Sequence, residues 1–201
     1  MTIKAVVFDI GGVLKKTPDL GVNANWEKKL NLKSGEIDRR LMSVWEKGRI
    51  GTISETEVNR RSREILGISV VDGGAFMDDR WAQYLGTPNV ELIEYFISLR
   101  SCSQTAILSN SFVGARKREE ERYHFGEMTD LIIYSHEVGM AKPDPRIYAL
   151  TCERLRLRPD EIIFLDDKEK NIASSREYGM CGILFKGNAQ ATSEIEDYLK
   201  G

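Results

Sequence analysis

The sequence predicts an α/β protein whose parallel sheet is covered by helices on both faces. Residues 3–8 carry the β-branched and aromatic side chains of a buried strand. From residue 87 onward, short apolar segments alternate with helical ones, an order typical of parallel sheets. Between the first strand and residue 87, residues 23–86 show helical patterns and no convincing strand. We therefore expect a helical segment inserted after the first strand, above the strand ends.

Within the insertion, two helices have clear sequence signals. Residues 36–47 repeat apolar side chains at helical spacing, which predicts an amphipathic helix. Residues 54–57 form a capping-box pattern that begins a helix running towards Leu66. Lys15 and Lys16 lie just before the insertion, and we expect them to form a solvated hinge.

After the insertion, helices and strands are predicted in turn. The predicted strands are residues 105–108, 131–134, 162–165 and 181–185, and the predicted helices are residues 89–100, 113–124, 145–155 and 168–178. Asp144 is a suitable N-cap and Pro145 a suitable first residue for the third of these helices. The charged run at residues 116–122 is expected to be a solvated helix face.

Composition excludes several classes of function. The net charge of −2 gives no basic surface for nucleic acid, so we expect no nucleic-acid partner. No run of about 18 apolar residues is present, so we expect no membrane partner either. The start of the chain lacks the layout of a signal peptide, and the three cysteines have no metal-like spacing. We expect a cytoplasmic protein, either a monomer or a homodimer.

Polar side chains follow three of the predicted strands. They are Asp9 after the first strand, Ser109 and Asn110 after the second, and Asp166 and Asp167 after the fourth. The carboxyl ends of parallel strands meet at one sheet edge, where ligands bind. A carboxylate at the Asp9 position can be a nucleophile or a metal ligand, or it can simply cap a turn. Gly11 and Gly12 follow it, and a substrate can approach the backbone closely there.

Lys142 adds a positive charge whose direction is restricted by Pro143. Clustered carboxylates repel one another unless a cation or a proton lies among them. Mg²⁺ suits such a cluster because it prefers hard oxygen ligands and retains waters and a phosphate oxygen. The predicted cofactor is therefore Mg²⁺, and the predicted chemistry is phosphoryl transfer. Taken singly, each of these residues can also be explained as a turn, loop or cap residue.

Four segments, in this order, resemble the motifs of the haloacid dehalogenase-like (HAD) hydrolase superfamily. The segments are VVFDIGGVL at 6–14, ILSN at 107–110, KPDP at 142–145 and FLDDKEKN at 164–171. The subgroup that the chain resembles contains the phosphatase domain of soluble epoxide hydrolase. The resemblance implies a Rossmann-like core of residues 1–16 and 87–201, with a small helical cap at residues 17–86.

The resemblance also implies a role for each motif residue. Asp9 would be the nucleophile that forms an aspartyl-phosphate, and Lys142 would offset the charge of both the phosphate and Asp9. Ser109, the Asn110 backbone and Gly12 would bind the substrate. The implied Mg²⁺ ligands are Asp9, the Gly11 carbonyl, Asp166 and Asp167, with Asp167 preferred as a direct ligand.

Gly11 departs from the family pattern. Most phosphatases of this family carry an aspartate there, which serves as general acid and base. Loss of such a group typically costs about 10²- to 10⁴-fold in rate. Three explanations stay open: Glu46, in a turn expected at residues 45–48, supplies the acid; the leaving group is good, as in an acyl phosphate; or the reaction differs.

The predicted function is Mg²⁺-dependent hydrolysis of a small phosphorylated metabolite. The main alternative is a catalytically impaired binding or regulatory protein, which Gly11 favours. A 2-haloacid dehalogenase is a further alternative, although the pair of acidic residues argues for a cation. Phosphonate cleavage would need a lysine of the cap, such as Lys28, Lys29 or Lys47. Trp26, Trp45 and Trp81 are expected in the core of the cap, with a pocket-lining role as the alternative.

Overall fold

A computed structural model describes residues 2–200 of the chain. The strands are β1 (Ala5–Phe8), β2 (Lys15–Lys16), β3 (Thr87–Pro88), β4 (Gln104–Ser109), β5 (Leu131–Tyr134), β6 (Ile162–Asp166) and β7 (Cys181–Leu184). The helices are α1 (Val22–Lys29), α2 (Glu36–Arg49), α3 (Glu55–Leu66), α4 (Val70–Leu85), α5 (Val90–Ser98), α6 (Ala115–Tyr123), α7 (Phe125–Met128), α8 (Ser135–Val138), α9 (Pro145–Leu155), α10 (Glu169–Glu177) and α11 (Asn188–Lys200). Among these residues, no helix combines the length and the apolarity that a membrane span requires.

Five strands form one parallel sheet in the order β5-β4-β1-β6-β7. β1 lies at the centre, where Phe8 is in register with Ile107 of β4 and Leu165 of β6. Because these three strands run in the same direction, the residues that follow them lie at the same edge of the sheet. The predicted α/β class with a parallel sheet is confirmed.

Helices cover both faces of the sheet, as the alternation along β1 shows. Val6 and Phe8 belong to one apolar cluster, whereas Ala5 and Val7 belong to another. Successive side chains of a strand point to opposite faces, so the two clusters lie on the two sides of the sheet. All four side chains are fully buried, which explains why the sequence of β1 is continuously apolar.

Helices α1 to α4 follow one another between β2 and β3. Their apolar side chains form a third cluster, which includes Trp26, Leu41 and Phe76 and also Val113 from the segment after β4. The chain segments on either side of them pair as a short antiparallel ribbon, in which Lys15 is opposite Pro88. This ribbon was not predicted from the sequence. The division into a core and a cap at residues 17–86 stays a prediction.

Most predicted elements are present within a few residues of their expected bounds. α9 begins at Pro145, and the Asp144 side chain accepts a hydrogen bond from the Arg146 N–H at 3.0 Å, as an N-cap does. The turn expected at residues 45–48 is wrong, because these residues continue α2 as far as Arg49. α11 is an additional helix that we did not predict.

Candidate active site

Three carboxylates converge at the carboxyl edge of the sheet. Asp9 follows β1 directly, Asp166 ends β6, and Asp167 comes next in the chain. One oxygen from each lies within 4.8 Å of the other two. Asp9 and Asp166 are buried, with exposed fractions of 7% and 0%. Carboxylates that are this close together and this well shielded from solvent require a cation or a proton among them.

Lys142 supplies one such charge. Its Nζ lies 2.8 Å from Asp9 Oδ1, 2.7 Å from Asp166 Oδ2 and 2.7 Å from the Leu108 carbonyl oxygen. Three acceptors match the three N–H bonds of an ammonium group. The Asn110 side chain holds the Lys142 backbone through two hydrogen bonds of 2.8 Å, one to its carbonyl and one from its N–H. Asn110 therefore fixes the lysine, and its side chain is already occupied.

The two late aspartates have different surroundings. Asp166 accepts hydrogen bonds from the Lys168 N–H at 2.8 Å and the Asn171 amide at 3.0 Å, besides the contact with Lys142. Asp167 Oδ2 pairs with Lys168 Nζ at 2.7 Å, but its Oδ1 is buried without a partner among residues 2–200. A buried oxygen without a partner is uncommon. Beside the Asp9 carboxylate it suits a divalent cation such as Mg²⁺, so the donor set fits the metal.

The two glycines after Asp9 meet different constraints. Gly12 has φ +81°, and a Cβ at this position would collide with the Asp167 carboxylate. Only glycine combines this backbone conformation with so close an approach. A Cβ on Gly11 would meet nothing within 4 Å. The site therefore has room for a side chain at position 11, although the chain provides none.

Burial dominates the electrostatics of the site. It raises the pKa of Asp9 to about 6, with Asp166 raising it further and Lys142 opposing the rise. Burial alone would lower the pKa of Lys142, but the carboxylates of Asp9 and Asp166 outweigh it and raise this pKa above its usual value. The lysine therefore stays protonated at neutral pH, whereas Asp9 titrates close to the physiological range.

A cavity of about 270 Å³ lies at the loop after β1 and the end of β4, next to these residues. Gly11, Ser109, Asn110 and Tyr84 contribute to its lining. The Ser109 hydroxyl makes no hydrogen bond with another group among residues 2–200, although the residue is only 2% exposed. It is therefore available to a ligand. Glu46, the candidate acid from the sequence, is exposed on α2 and lines neither this cavity nor the one adjoining it.

Lys15 also lines this cavity, and the expectation that it is solvated is wrong. The side chain is 2% exposed, and its Nζ lies 2.5 Å from Oε1 of Glu119, which is fully buried in α6. The same Nζ lies 3.7 Å from the centre of the Tyr84 ring. Glu119 likewise contradicts the solvated face expected for residues 116–122. This ion pair was not predicted from the sequence, because nothing in a charged segment distinguishes a buried charged residue from an exposed one.

A comparison of the sequence with known protein families shows the family to which the chain belongs. The pattern of the haloacid dehalogenase-like hydrolases matches residues 3–179. The chain belongs to the haloacid dehalogenase-like hydrolase family. The predicted resemblance is thereby confirmed, and the chain is a HAD-like hydrolase.

Among the curated relatives, one is much longer than this chain and another is of similar length. Bifunctional epoxide hydrolase 2 of Sus scrofa is 28% identical over 98% of this chain, but the chain spans only 39% of that protein's length. D-ribitol-5-phosphate phosphatase of Bacteroides thetaiotaomicron is 22% identical over 88% of this chain and 89% of its own length. Phosphatases thus stand among the relatives of this HAD-like hydrolase.

Solved structures of similar fold include a HAD family enzyme of Bacteroides thetaiotaomicron. One structure of it has a TM-score of 0.85 at 24% identity, covering 97% of this chain and 99% of that chain. Another, in complex with magnesium and inorganic phosphate, has a TM-score of 0.79 at 27% identity, covering 92% and 94%. Magnesium therefore occurs in structures of the family.

Proposed function

We propose that this HAD-like hydrolase is a Mg²⁺-dependent phosphohydrolase of a small phosphorylated metabolite, with Asp9 as its nucleophile. One observation carries the proposal. The Asp9 carboxylate contacts the Lys142 ammonium at 2.8 Å and lies within 4.8 Å of an oxygen of Asp167, whose Oδ1 has no partner among residues 2–200. Gly11 and Ser109, near this carboxylate in the fold, line a cavity of about 270 Å³. This arrangement presents a nucleophile to an anionic group while balancing the charge that both bring.

The first step is attack by Asp9 on phosphorus. A new bond forms between a carboxylate oxygen and phosphorus, the bond from phosphorus to the ester oxygen breaks, and its electron pair leaves with that oxygen. Lys142 balances the negative charge around Asp9, and the Ser109 hydroxyl donates a hydrogen bond to a phosphoryl oxygen. Catalysis of this kind rests mainly on positioning and charge neutralisation.

The second step is hydrolysis of the aspartyl-phosphate. Water attacks phosphorus, the bond to Asp9 breaks, and both hydrogens of the water depart on inorganic phosphate. The carboxylate of Asp9 is thereby restored. The fixed contacts of Lys142 with Asp166 and Leu108 keep the ammonium in place during both steps, so no reorganisation of charge is required.

The residues that would hold Mg²⁺ are Asp9, Asp167 and the carbonyl of Gly11. When bound, the ion supplies positive charge for the phosphoryl oxygens and fixes their orientation. Asp166 has no oxygen without a hydrogen bond, so we assign it a positioning role: it holds Lys142 and the turn that leads into α10. This assignment removes Asp166 from the Mg²⁺ ligands that the sequence resemblance implies.

Phosphate release from a panel of phosphorylated metabolites tests the proposal. We expect release that requires Mg²⁺ and falls by about 10⁴-fold or more in Asp9→Asn, because the nucleophile is lost. Asp197→Asn, an exposed aspartate of α11, is the matched control and should retain full activity. Calorimetric titration with Mg²⁺ should show weaker binding to Asp167→Asn than to wild type. Undiminished release by Asp9→Asn would exclude the aspartate from the mechanism.

One observation favours the second candidate, a binding or regulatory protein without activity. Gly11 leaves the site without the carboxyl group that most family phosphatases use as general acid and base. Failure of every phosphate ester and acyl phosphate in the panel, with Mg²⁺ binding intact, would support this candidate over the phosphohydrolase.

A further inference from the structure

A second cavity, of about 240 Å³, adjoins the catalytic one. Arg80 and Tyr84 of α4 line both cavities, so they form the boundary between them. The rest of the second cavity is lined largely by apolar side chains from α2, α4 and the loop after β4. These side chains include Trp45, Met77 and Phe112. A molecule bound at Asp9 can therefore extend past Arg80 into an apolar space.

The walls of the second cavity are aromatic and packed against one another. Trp45 meets Phe112 edge-on with ring centres 5.7 Å apart, and Trp81 meets Tyr84 edge-on at 5.3 Å. Edge-to-face contacts at these distances are favourable, so the rings hold one another in place. A dry apolar cavity of about 150 Å³ is large enough for benzene. The space here therefore accommodates one substituted aromatic ring, but not a long alkyl chain.

Arg80 brings a positive charge to the boundary of the two cavities. Its guanidinium is partly buried and lies 4.8 Å from the centre of the Trp45 ring. Nη1 donates to Asn23 Oδ1 at 2.8 Å, and Asn23 in turn donates to Asp38 at 2.8 Å. Among residues 2–200, no carboxylate lies within 4.0 Å of Arg80. This guanidinium thus has free donors for a planar anion, and carboxylate geometry matches it.

The rings of Trp45 and Trp81 line this cavity, whereas their indole N–H groups are buried away from its surface and have no acceptor among residues 2–200. The two indoles therefore present apolar carbon atoms to the cavity.

Gly11 limits the leaving groups that the site can expel. Without a side chain at this position, nothing there protonates the departing oxygen. A phenol loses its proton near pH 10, whereas an aliphatic alcohol is a far weaker acid. An aryl phosphate therefore needs little help from a general acid, and its ring is the kind of group that the second cavity accommodates.

We propose that the substrate is an aryl phosphate whose ring carries a carboxylate, with the ring in the aromatic cavity and the carboxylate on Arg80. The proposal rests on the proposed function and names its substrate class. Asp9 bonds to phosphorus as the aryl carbon–oxygen group departs with the electron pair. The phenolate then takes a proton from solvent, and water hydrolyses the aspartyl-phosphate as above.

Three esters test this substrate class: 4-(carboxymethyl)phenyl phosphate, phenyl phosphate and glycerol phosphate. We expect kcat/KM to fall in that order. In Arg80→Gln, the ratio of kcat/KM between the first two esters should fall by roughly 10- to 150-fold, the loss of hydrogen bonds to a charged group. Arg80→Lys should keep part of the preference. Arg39→Gln, which removes an exposed arginine from α2, is the matched control for charge.

A binding measurement separates this proposal from the proposed function. 4-(Carboxymethyl)phenyl phosphate should change the tryptophan fluorescence of the Asp9→Asn protein, and thermal melting should show that each variant is folded. Mg²⁺-dependent release with a preference for glycerol phosphate would overturn the substrate class and leave the phosphohydrolase in place. Equal losses on both aryl esters in Arg80→Gln would overturn the role of Arg80. If no ester releases phosphate, the proposed phosphohydrolase activity is excluded. The fluorescence titration alone then shows whether the second cavity binds the aryl ester.

Discussion

At the scale of single residues, Gly11 and Gly12 in the loop after β1 are under different steric constraints. Gly12 has a left-handed backbone and touches the Asp167 carboxylate, so no other residue fits there. Gly11 meets no such constraint, because the space around its missing Cβ is open. In the proposed mechanism the Gly11 carbonyl would bind Mg²⁺ whatever side chain stands at this position, so a side chain there can change the range of leaving groups without disturbing the metal ligands.

Gly11→Asp is expected to extend the activity to aliphatic esters. The new carboxyl group has room to form and would act as general acid, so kcat for glycerol phosphate should rise by up to about 10²- to 10⁴-fold. Steady-state kinetics on glycerol phosphate and phenyl phosphate provide the measurement, and the aryl ester should gain much less. Gly11→Ala adds the Cβ alone and is the control. Equal rates in the Asp and Ala variants would contradict the explanation.

At the scale of elements, one buried ion pair joins the ribbon to the helix after β4. Lys15 of β2 and Glu119 of α6 are both shielded from solvent, and their contact is reinforced by the Tyr84 ring at the end of α4. Burial lowers the pKa of Lys15, and Glu119 counteracts this effect. Three elements that lie far apart in sequence therefore meet at this charge contact, beside the cavity of about 270 Å³.

Lys15→Met is expected to destabilise the fold by about 3–5 kcal/mol, because it leaves the Glu119 charge buried without a partner. Urea unfolding at pH 7 measures the change. The double variant Lys15→Met/Glu119→Leu removes both charges and should recover most of the loss. Lys16→Met, at the exposed neighbouring position, should shift the free energy of unfolding by no more than about 0.5 kcal/mol. A double variant as unstable as the single one would show that the charge is not the cause.

At the scale of the whole molecule, the burial of Asp9 makes the stability of the fold depend on pH. Asp9 has a pKa of about 6 in the folded protein, against 3.8 in an unfolded chain. Between these values the folded state binds more protons, so stability falls as pH rises. The contribution of this group is complete below about pH 3.8 and lost above about pH 6. The buried Asp9 carboxylate thus lowers the stability of the fold at neutral pH.

Asp9→Asn is therefore expected to reduce the pH dependence of unfolding. In EDTA, the free energy of unfolding of wild type relative to the variant should drop between pH 4 and pH 7. The full drop is about 3 kcal/mol, at 1.36 kcal/mol per pKa unit. Urea titrations at four pH values give the difference. Parallel curves for the two proteins would show that Asp9 titrates normally in the fold.

The sheet and the polar residues at its carboxyl edge could be predicted because the sequence patterns that indicate them are local. The apolar run of β1, the Asp144 cap of α9 and the polar residues after three strands each act within a few positions of the chain. Parallel pairing then brings the strand ends together without further information. Asp9, Lys142 and Asp166 could be grouped from sequence for this reason.

The contacts between distant elements could not be predicted. Lys15 and Glu119 are 104 positions apart, and nothing in either neighbourhood marks them as buried partners. The second cavity depends on how α2 and α4 pack against Phe112, which no periodic pattern encodes. The same holds for the Asn110 side chain, which binds the Lys142 backbone 32 positions away, a contact that the motif did not predict. Substrate binding by the Asn110 backbone stays a prediction.

The ribbon of β2 and β3 has a consequence for how this fold can diversify. The chain departs from the sheet layer and returns to it at two paired points, Lys15 and Pro88. The ends of the inserted segment are thereby held side by side whatever lies between them, and the entropy of closing a flexible loop rises by only about 0.6 kcal/mol for each doubling of its length. A relative with a longer or shorter insertion can therefore keep Asp9 where it is, provided that the inserted helices bury an apolar core of their own.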